Sequence, residues 1–360
     1  MFKLKLTLED GTDFVGESFG KLTETEGEVV FNTGMVGYPE TLTDPSYRGQ
    51  ILVTTYPLVG NYGVPQDKPR SANALSELFE SRQIQIKGLI VSEYSNRFFH
   101  WQAKKSLGDW MEENEIPGIT GIDTRVLTQK LREKGTMLGK IRAVVNDKKE
   151  PFKDPNKKNL AAEVSCTEVI TYKAGRKKVL LVDCGAKESI IRSLLERGVT
   201  VIRVPWDYDF LNDWKMKYHG ILFSNGPGDP AKVKATNLHM KRALRSQKKP
   251  IFGICLGAQV MALGAGAKTY KLKYGHRSQN QPCLDMETGR CVITSQNHGY
   301  AIEERTLPGE YRVWFRNAND DTVEGIKHIK RPFFAVQFHP EASPGPTDTG
   351  YLFDKFVKTL

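Results

Sequence analysis

Residues 251–259 read IFGICLGAQ, an apolar run that ends in a cysteine flanked by glycines. The run KPIFGIC has the composition of a buried strand, and LGAQVMALGAGA after it reads as a helix, so Cys255 stands at a strand-to-helix junction. Gly253 lies two residues before it and Gly257 two after, which is the G-x-nucleophile-x-G spacing of a sharp turn. A side chain at either glycine would clash as the turn tightens. Such a turn lifts the sulfur above the sheet and places it at a helix N-terminus, where the dipole and free N–H groups favour a thiolate. The N–H of Leu256 would point at an oxyanion in the same place.

Working outward, the same rhythm recurs. KKVLLVDCG is an apolar strand ending in glycine, and KESIIRSLLERG follows with Ile190, Ile191, Leu194 and Leu195 at helical spacing. VTVIRVP and HGILFSNGPGDP are further strands, the second running into a glycine-proline turn, and AKVKATNLHMKRALRSQ is a helix. Alternation of this kind predicts an α/β fold with a mostly parallel sheet flanked by helices. Functional loops then lie at the carboxyl ends of the strands, where SNGPGDP and GICLGAQ both fall.

Before residue 150 the pattern differs. Phe2, Leu4, Leu6 and Leu8 alternate with polar residues as in a half-buried strand, and Asp10-Gly11 predicts a hairpin turn. GEVVFNT, QILVTTYPLVG and IQIKGLIVSEYS are β-type runs interrupted by helical SLGDWMEEN and TRVLTQKLREKG, which predicts a mixed α+β domain. The stretch 146–159, NDKKEPFKDPNKKN, is charged and carries two prolines, as expected of a linker. The predicted organisation is a domain over 1–150, a linker over 151–176 and a second domain over 177–360.

Composition narrows the function. The chain has 360 residues, is 39% hydrophobic and 26% charged, and its N-terminus lacks the apolar run of a signal peptide. No stretch approaches the ~18 apolar residues of a membrane span. Cysteines 166, 184, 255, 283 and 291 form no CxxC pair, which argues against a zinc ribbon or redox site. Their odd number without a secretion signal implies reduced thiols and a cytoplasmic location. The net charge of +10 is dispersed, with no nucleic-acid motif, and suits a partner with an acidic surface. GAGAKT at 264–269 resembles a P-loop but fails, because Ala267 precedes the lysine and the segment follows a helix. No metal site and no cofactor are expected in this chain.

The segment RPFFAVQFHPE supplies partners for the cysteine. In extended backbone, positions i and i+2 share a side, so Glu341 can orient His339, and His339 can take the thiol proton. His298, in SQNHGY, is a competing base with no acid nearby in sequence; its segment reads as a substrate-contacting loop. The remaining cysteines read as structural.

Together G-x-C-x-G-x-Q, the downstream H-P-E and the upstream N-G-P-G-D-P resemble the class I (triad) glutamine amidotransferases. The resemblance implies that Cys255 attacks the side-chain amide of L-glutamine, ammonia leaves, and water releases glutamate from a γ-glutamyl thioester. His339 would be base and then acid, with Glu341 as its orienter. Gln259 and Gly226 or Gly228 would help hold glutamine, one of those glycine backbone groups completing an oxyanion hole with Leu256. Ala258 departs from the histidine or methionine of many members, at a position outside the triad.

The first domain resembles one family more narrowly. Residues 32–65, NTGMVGYPETLTDPSYRGQILVTTYPLVGNYGVP, together with KGLIVSEYS, GITGIDTRVLTQKLREKGTMLGKI and AKTYKLKYGHRSQNQPC, are similar to the carbamoyl-phosphate synthase small chain. That resemblance implies that Ser46 reaches glutamine across a domain interface, and that Asn297, Gly299 and Tyr300 bind it. It also implies a large-subunit partner that uses bicarbonate and two ATP with their metal ion, fed by ammonia through an internal tunnel. The chain stops soon after HPE, as expected of a separate small subunit rather than a fused enzyme. A relative without the cysteine would keep only a scaffold or regulatory role, and the intact Cys255, His339 and Glu341 argue against that alternative. Neither nucleic acid nor membrane is an expected partner, and the sequence leaves arginine and pyrimidine synthesis equally open.

Overall fold

The computed structural model describes residues 2–67, 74–145 and 150–360. The chain divides into two units, Met1–Lys157 and Lys158–Leu360.

The first unit is built on a closed barrel. Strands Lys3–Leu8, Met137–Ala143, Thr25–Asn32, Gln50–Thr54, Gly88–Ile90, Pro117–Thr120 and Asp13–Gly20 follow one another around it. The predicted hairpin joins Lys3–Leu8 to Asp13–Gly20 in antiparallel register, Leu6 opposite Phe14. Leu4, Leu6 and Leu8 are buried as the alternation requires. Helices Leu107–Glu113 and Thr124–Lys134 are capped by Ser106 Oγ and Asp123 Oδ1, which accept from the amides of Asp109 and Val126.

The second unit carries a ten-stranded sheet. At its centre Thr200–Pro205, Lys178–Asp183, Gly220–Phe223, Ile251–Ile254 and Phe333–Val336 run parallel. Alternate residues serve opposite faces. Ile251, Phe333 and Ala335 join a core with Met240 and Met261 from helices Lys234–Ser246 and Leu256–Ala265. Phe252 and Phe334 face the other way, onto Phe356 of helix Tyr351–Thr359. The sheet then continues with antiparallel strands: Val323–His328, Cys291–Glu303, Lys268–Asp285 and Tyr311–Asn317. This extension accompanies the parallel core that the strand-helix rhythm predicted; its long strands have no intervening helix to announce them.

The expected linker needs correction. Residues 146–149 of the charged stretch lie outside the described residues. Within 151–176, however, Ala161–Val164 forms a helical turn and Ile170–Tyr172 pairs antiparallel with Thr200–Pro205 at the sheet edge. The Cys166 amide donates to the buried Asp183 carboxylate at 2.8 Å. A three-residue edge strand is too short for its alternation to show against a charged background. No helix among the described residues is long and apolar enough to cross a membrane.

The elbow glycines have a measurable steric reason. A Cβ on Gly257 would lie 2.2 Å from the Phe223 carbonyl oxygen, and one on Gly253 would lie 2.6 Å from the Gly257 oxygen. Both obstacles are backbone and cannot rotate away. Gly257→Ala is therefore expected to destabilise the protein by about 1–3 kcal/mol, the cost of overpacking a tight interior. Urea denaturation of the variant against wild type checks this, and an unchanged midpoint would contradict it.

Candidate active site

Consecutive segments leaving the carboxyl ends of neighbouring parallel strands supply most of the site. Lys187 follows Lys178–Asp183, Gly226 and Gly228 follow Gly220–Phe223, Cys255 follows Ile251–Ile254, and His339 and Glu341 follow Phe333–Val336. Sequence-distant residues are gathered because parallel strands point the same ends the same way.

Cys255 is held at φ 54° and ψ −104°, a conformation that costs a non-glycine residue on the order of 1–3 kcal/mol. Surrounding bonds enforce it. Its amide donates to Val336 O at 2.8 Å, the Gly257 amide donates to Ser224 O at 3.0 Å, and the Ala258 and Gln259 amides donate back to Cys255 O. The amide of Leu256 is thus the uncommitted first-turn donor among these residues, beside the sulfur at the helix start. Cys255 is only 2% exposed, and its Sγ lies 3.7 Å from Asn297 O and 3.6 Å from Gln337 Nε2.

His339 Nδ1 and Glu341 Oε1 are 2.6 Å apart. The pair does not sit on an extended strand as the i, i+2 argument supposed. The strand ends at Val336, and a turn closed by the Ala342 amide on His339 O brings the carboxylate back to the ring. Glu341 also meets Lys187 Nζ at 3.2 Å, and that ammonium donates to Ala342 O at 2.5 Å. All three side chains are almost wholly buried.

Their protonation follows from this arrangement. Burial opposes the His339 cation, but the Glu341 carboxylate and the Cys255 sulfur outweigh it and raise the pKa. Burial likewise opposes the Glu341 carboxylate, yet Lys187 and then His339 hold its pKa well down. Glu341 is thus an anion at neutral pH, its Oε1 beside Nδ1, so His339 Nε2 is the nitrogen left for the thiol; it has no hydrogen-bond partner among the described residues.

The other predicted residues separate into groups. Gln259 is buried, and its Nε2 donates to Tyr300 O at 2.9 Å and Gln337 Oε1 at 3.1 Å, so it ties the elbow helix to both neighbouring segments. Asn297, Gly299 and Tyr300 do not form a loop. They lie inside strand Cys291–Glu303, which pairs with Lys268–Asp285. Gly226 approaches the Cys184 carbonyl so closely that a Cβ would fall 2.2 Å from it, and Gly228 has φ +84°. Ser46 belongs to the first unit, buried in the turn Pro45–Tyr47, its amide donating to Asp44 Oδ1 at 2.9 Å.

His298 differs from its sequence reading as well. It has acids near it in space: Nε2 lies 3.7 Å from Glu324 Oε1. Its Nδ1 is 2.9 Å from Tyr300 O, and because a carbonyl only accepts, that nitrogen is the donor. Burial, then the neighbouring His276, push its pKa well below the usual histidine range. His276, His298 and Glu324 bring potential metal-ligand atoms within 4.8 Å of one another, all three buried.

Lys187 and Gln337 escaped the sequence reading. Lys187 meets Glu341 across 154 residues (341 − 187), so local spacing carries no trace of it. Gln337 stands two residues before His339, and that proximity was the one available signal. Of the remaining cysteines, 184 and 283 are buried, 166 is half-buried and 291 exposed. Burial pushes the Cys166 and Cys184 thiols up to about 12.

Comparison with known proteins matches residues 6–141 to the carbamoyl-phosphate synthase small chain CPSase domain, and residues 180–359 to glutamine amidotransferase class-I. The carbamoyl phosphate synthase arginine-specific small chain of Neosartorya fischeri is 46% identical over 361 residues, covering 98% of this chain and 79% of that protein. Multifunctional protein CAD of Squalus acanthias is 51% identical over 98% of this chain, and carbamoyl-phosphate synthase [ammonia], mitochondrial, of Mus musculus is 50% identical over 99%. The chain spans only 16% and 23% of the length of these last two.

Proposed function

The chain belongs to the carbamoyl-phosphate synthase small-chain family, and from that premise we propose that it is the glutamine-hydrolysing subunit of such a synthase. Identity alone does not choose between nitrogen donors, since a relative named for ammonia is 50% identical. The observation that carries the reading is the buried sequence Lys187–Glu341–His339 next to Cys255 on its strained elbow. Such an array suits chemistry in which a thiol is deprotonated and a leaving group protonated.

The proposed reaction begins with transfer of the Cys255 proton to His339 Nε2. The sulfur attacks the side-chain amide carbon of glutamine, forming a C–S bond, while the developing oxyanion is met by the Leu256 amide and by backbone N–H of Gly226 or Gly228. His339 returns its proton to the amide nitrogen, the C–N bond breaks and ammonia leaves. Water, deprotonated by the same imidazole, then hydrolyses the thioester to glutamate. Gln259, Asn297, Gly299 and Tyr300 line the glutamine site. Ammonia passes to a large synthetase subunit, which holds ATP and its metal ion and makes carbamoyl phosphate from bicarbonate. The complex works in the cytoplasm.

Acid quench during turnover on glutamine, followed by intact-mass analysis, tests the chemistry. The expected result is a covalent glutamyl adduct on the peptide containing Cys255, more abundant when the large subunit turns over ATP and bicarbonate. No adduct on that peptide would overturn the reading.

A further inference from the structure

Behind the strand that faces Cys255 lies a polar cluster the chemistry above does not use. Asp320 Oδ2 is 2.8 Å from His276 Nε2, and His276 Nδ1 is 3.3 Å from Glu324 Oε1. The same Glu324 oxygen is 3.7 Å from His298 Nε2, whose ring stands edge-on to His276 with centroids 4.9 Å apart. From His298 the contacts continue to Tyr300 O, and that carbonyl also accepts from Gln259 Nε2. Gln259 meets Gln337, and Gln337 meets the Cys255 sulfur. A series of contacts, polar except where the two imidazoles pack edge-on, therefore joins a surface aspartate, its side chain 43% exposed, to the nucleophile.

The backbone gives this series a task. Cys291–Glu303 pairs with Lys268–Asp285 at Lys271↔Tyr300 and again at His276↔His298, with the register broken between them. Gly299 falls in the gap and has no paired residue across the strand. The ladder is thus interrupted where the strand must present Asn297, Gly299 and Tyr300. Strand alternation turns His298 away from Asn297 and Gly299, into the cluster. Side-chain packing there stands in for the missing ladder.

We propose that His276, held between Asp320 and Glu324, is a positioning residue for glutamine: its ring packs edge-on against the His298 ring and so fixes the 297–300 strand at the spacing the substrate needs. The inference rests on the glutaminase reading. His276 donates from both ring nitrogens only as a cation. Burial works against that form, but the two carboxylates prevail and carry the pKa to about 9. The bond to the Asp320 carboxylate, whose own pKa is held down to about 2, is therefore charge-assisted at neutral pH. The brace acts on the wall of the binding site and touches neither the sulfur nor His339.

The test is steady-state kinetics of the complex with the large subunit, varying glutamine, for wild type, His276→Asn and Asp320→Asn. Loss of a charge-assisted bond predicts a KM for glutamine about tenfold higher in His276→Asn, with a smaller rise in Asp320→Asn. The kcat at saturating glutamine and the ammonia-dependent rate stay within about twofold of wild type, the signature of lost binding common to ground and transition states. Asp320→Glu, which keeps the anion, restores KM toward wild type. If His276→Asn does not fold, the half-exposed Asp320 variants decide the question. Folded variants with wild-type KM, or a fall in kcat without a change in KM, overturn the inference. Failure of the underlying reading is distinct: wild type itself would form no glutamyl thioester.

Discussion

Cys255→Ser removes glutamine-dependent carbamoyl phosphate synthesis while ammonia-dependent synthesis by the complex continues. The substitution replaces one atom in a site that is already enclosed, so the fold is kept. A serine hydroxyl in the same place is a far weaker acid than the thiol, and the expected loss in the glutamine reaction is on the order of 10³-fold or more. The measurement is carbamoyl phosphate formation by the complex with ATP and bicarbonate, supplied with either nitrogen source. Substantial glutamine use by the variant would sink the assignment of Cys255. Equal loss with both nitrogen sources would point instead to a disrupted complex.

His339→Asn is expected to slow thioester formation by about 10²–10⁴-fold, the range for removing a general acid-base. Asparagine can still donate to the Glu341 carboxylate, so the turn after Val336 keeps its closure and the thermal midpoint stays close to wild type. Rapid-quench measurement of adduct formation separates this chemical step from product release. Unchanged turnover would move the base role to His298. The structure weighs against that outcome, because His298 Nδ1 is engaged by Tyr300 O and Nε2 faces Gln296 and Glu324.

Some of this site was legible in the sequence because its logic is local. Gly253, Cys255 and Gly257 define the elbow within five residues, and His339 and Glu341 are two apart. The parallel core announced itself through alternating strands and helices. Closure of the barrel did not, since it depends on Lys3–Leu8 finding Met137–Ala143 at the far end of the unit. The antiparallel extension was equally hidden. Its strand Cys291–Glu303 mixes Asn297, His298 and Gly299 into a β-ladder, and that polar composition reads as a loop until the pairing with Lys268–Asp285 is known. Lys187 shows the same limit in a single residue. In sequence it is the first polar residue of a helix start, and only the fold sets it against Glu341.

The Lys187–Glu341 pair also settles how charge is balanced through the proposed cycle. With Cys255 and His339 both neutral, the buried group sums to zero; moving the thiol proton to His339 makes an anion and a cation and leaves the sum at zero. Attack moves the sulfur's negative charge onto the substrate oxygen, so the sum stays at zero in a nearly water-free space, where unpaired charge is costly. Handing the proton to the departing nitrogen as the oxyanion collapses releases neutral ammonia and again leaves the sum at zero. Glu341 without Lys187 would leave one uncompensated negative charge at each of these stages. The lysine thus lets the proton pass from sulfur to imidazole to nitrogen without the site ever holding net charge.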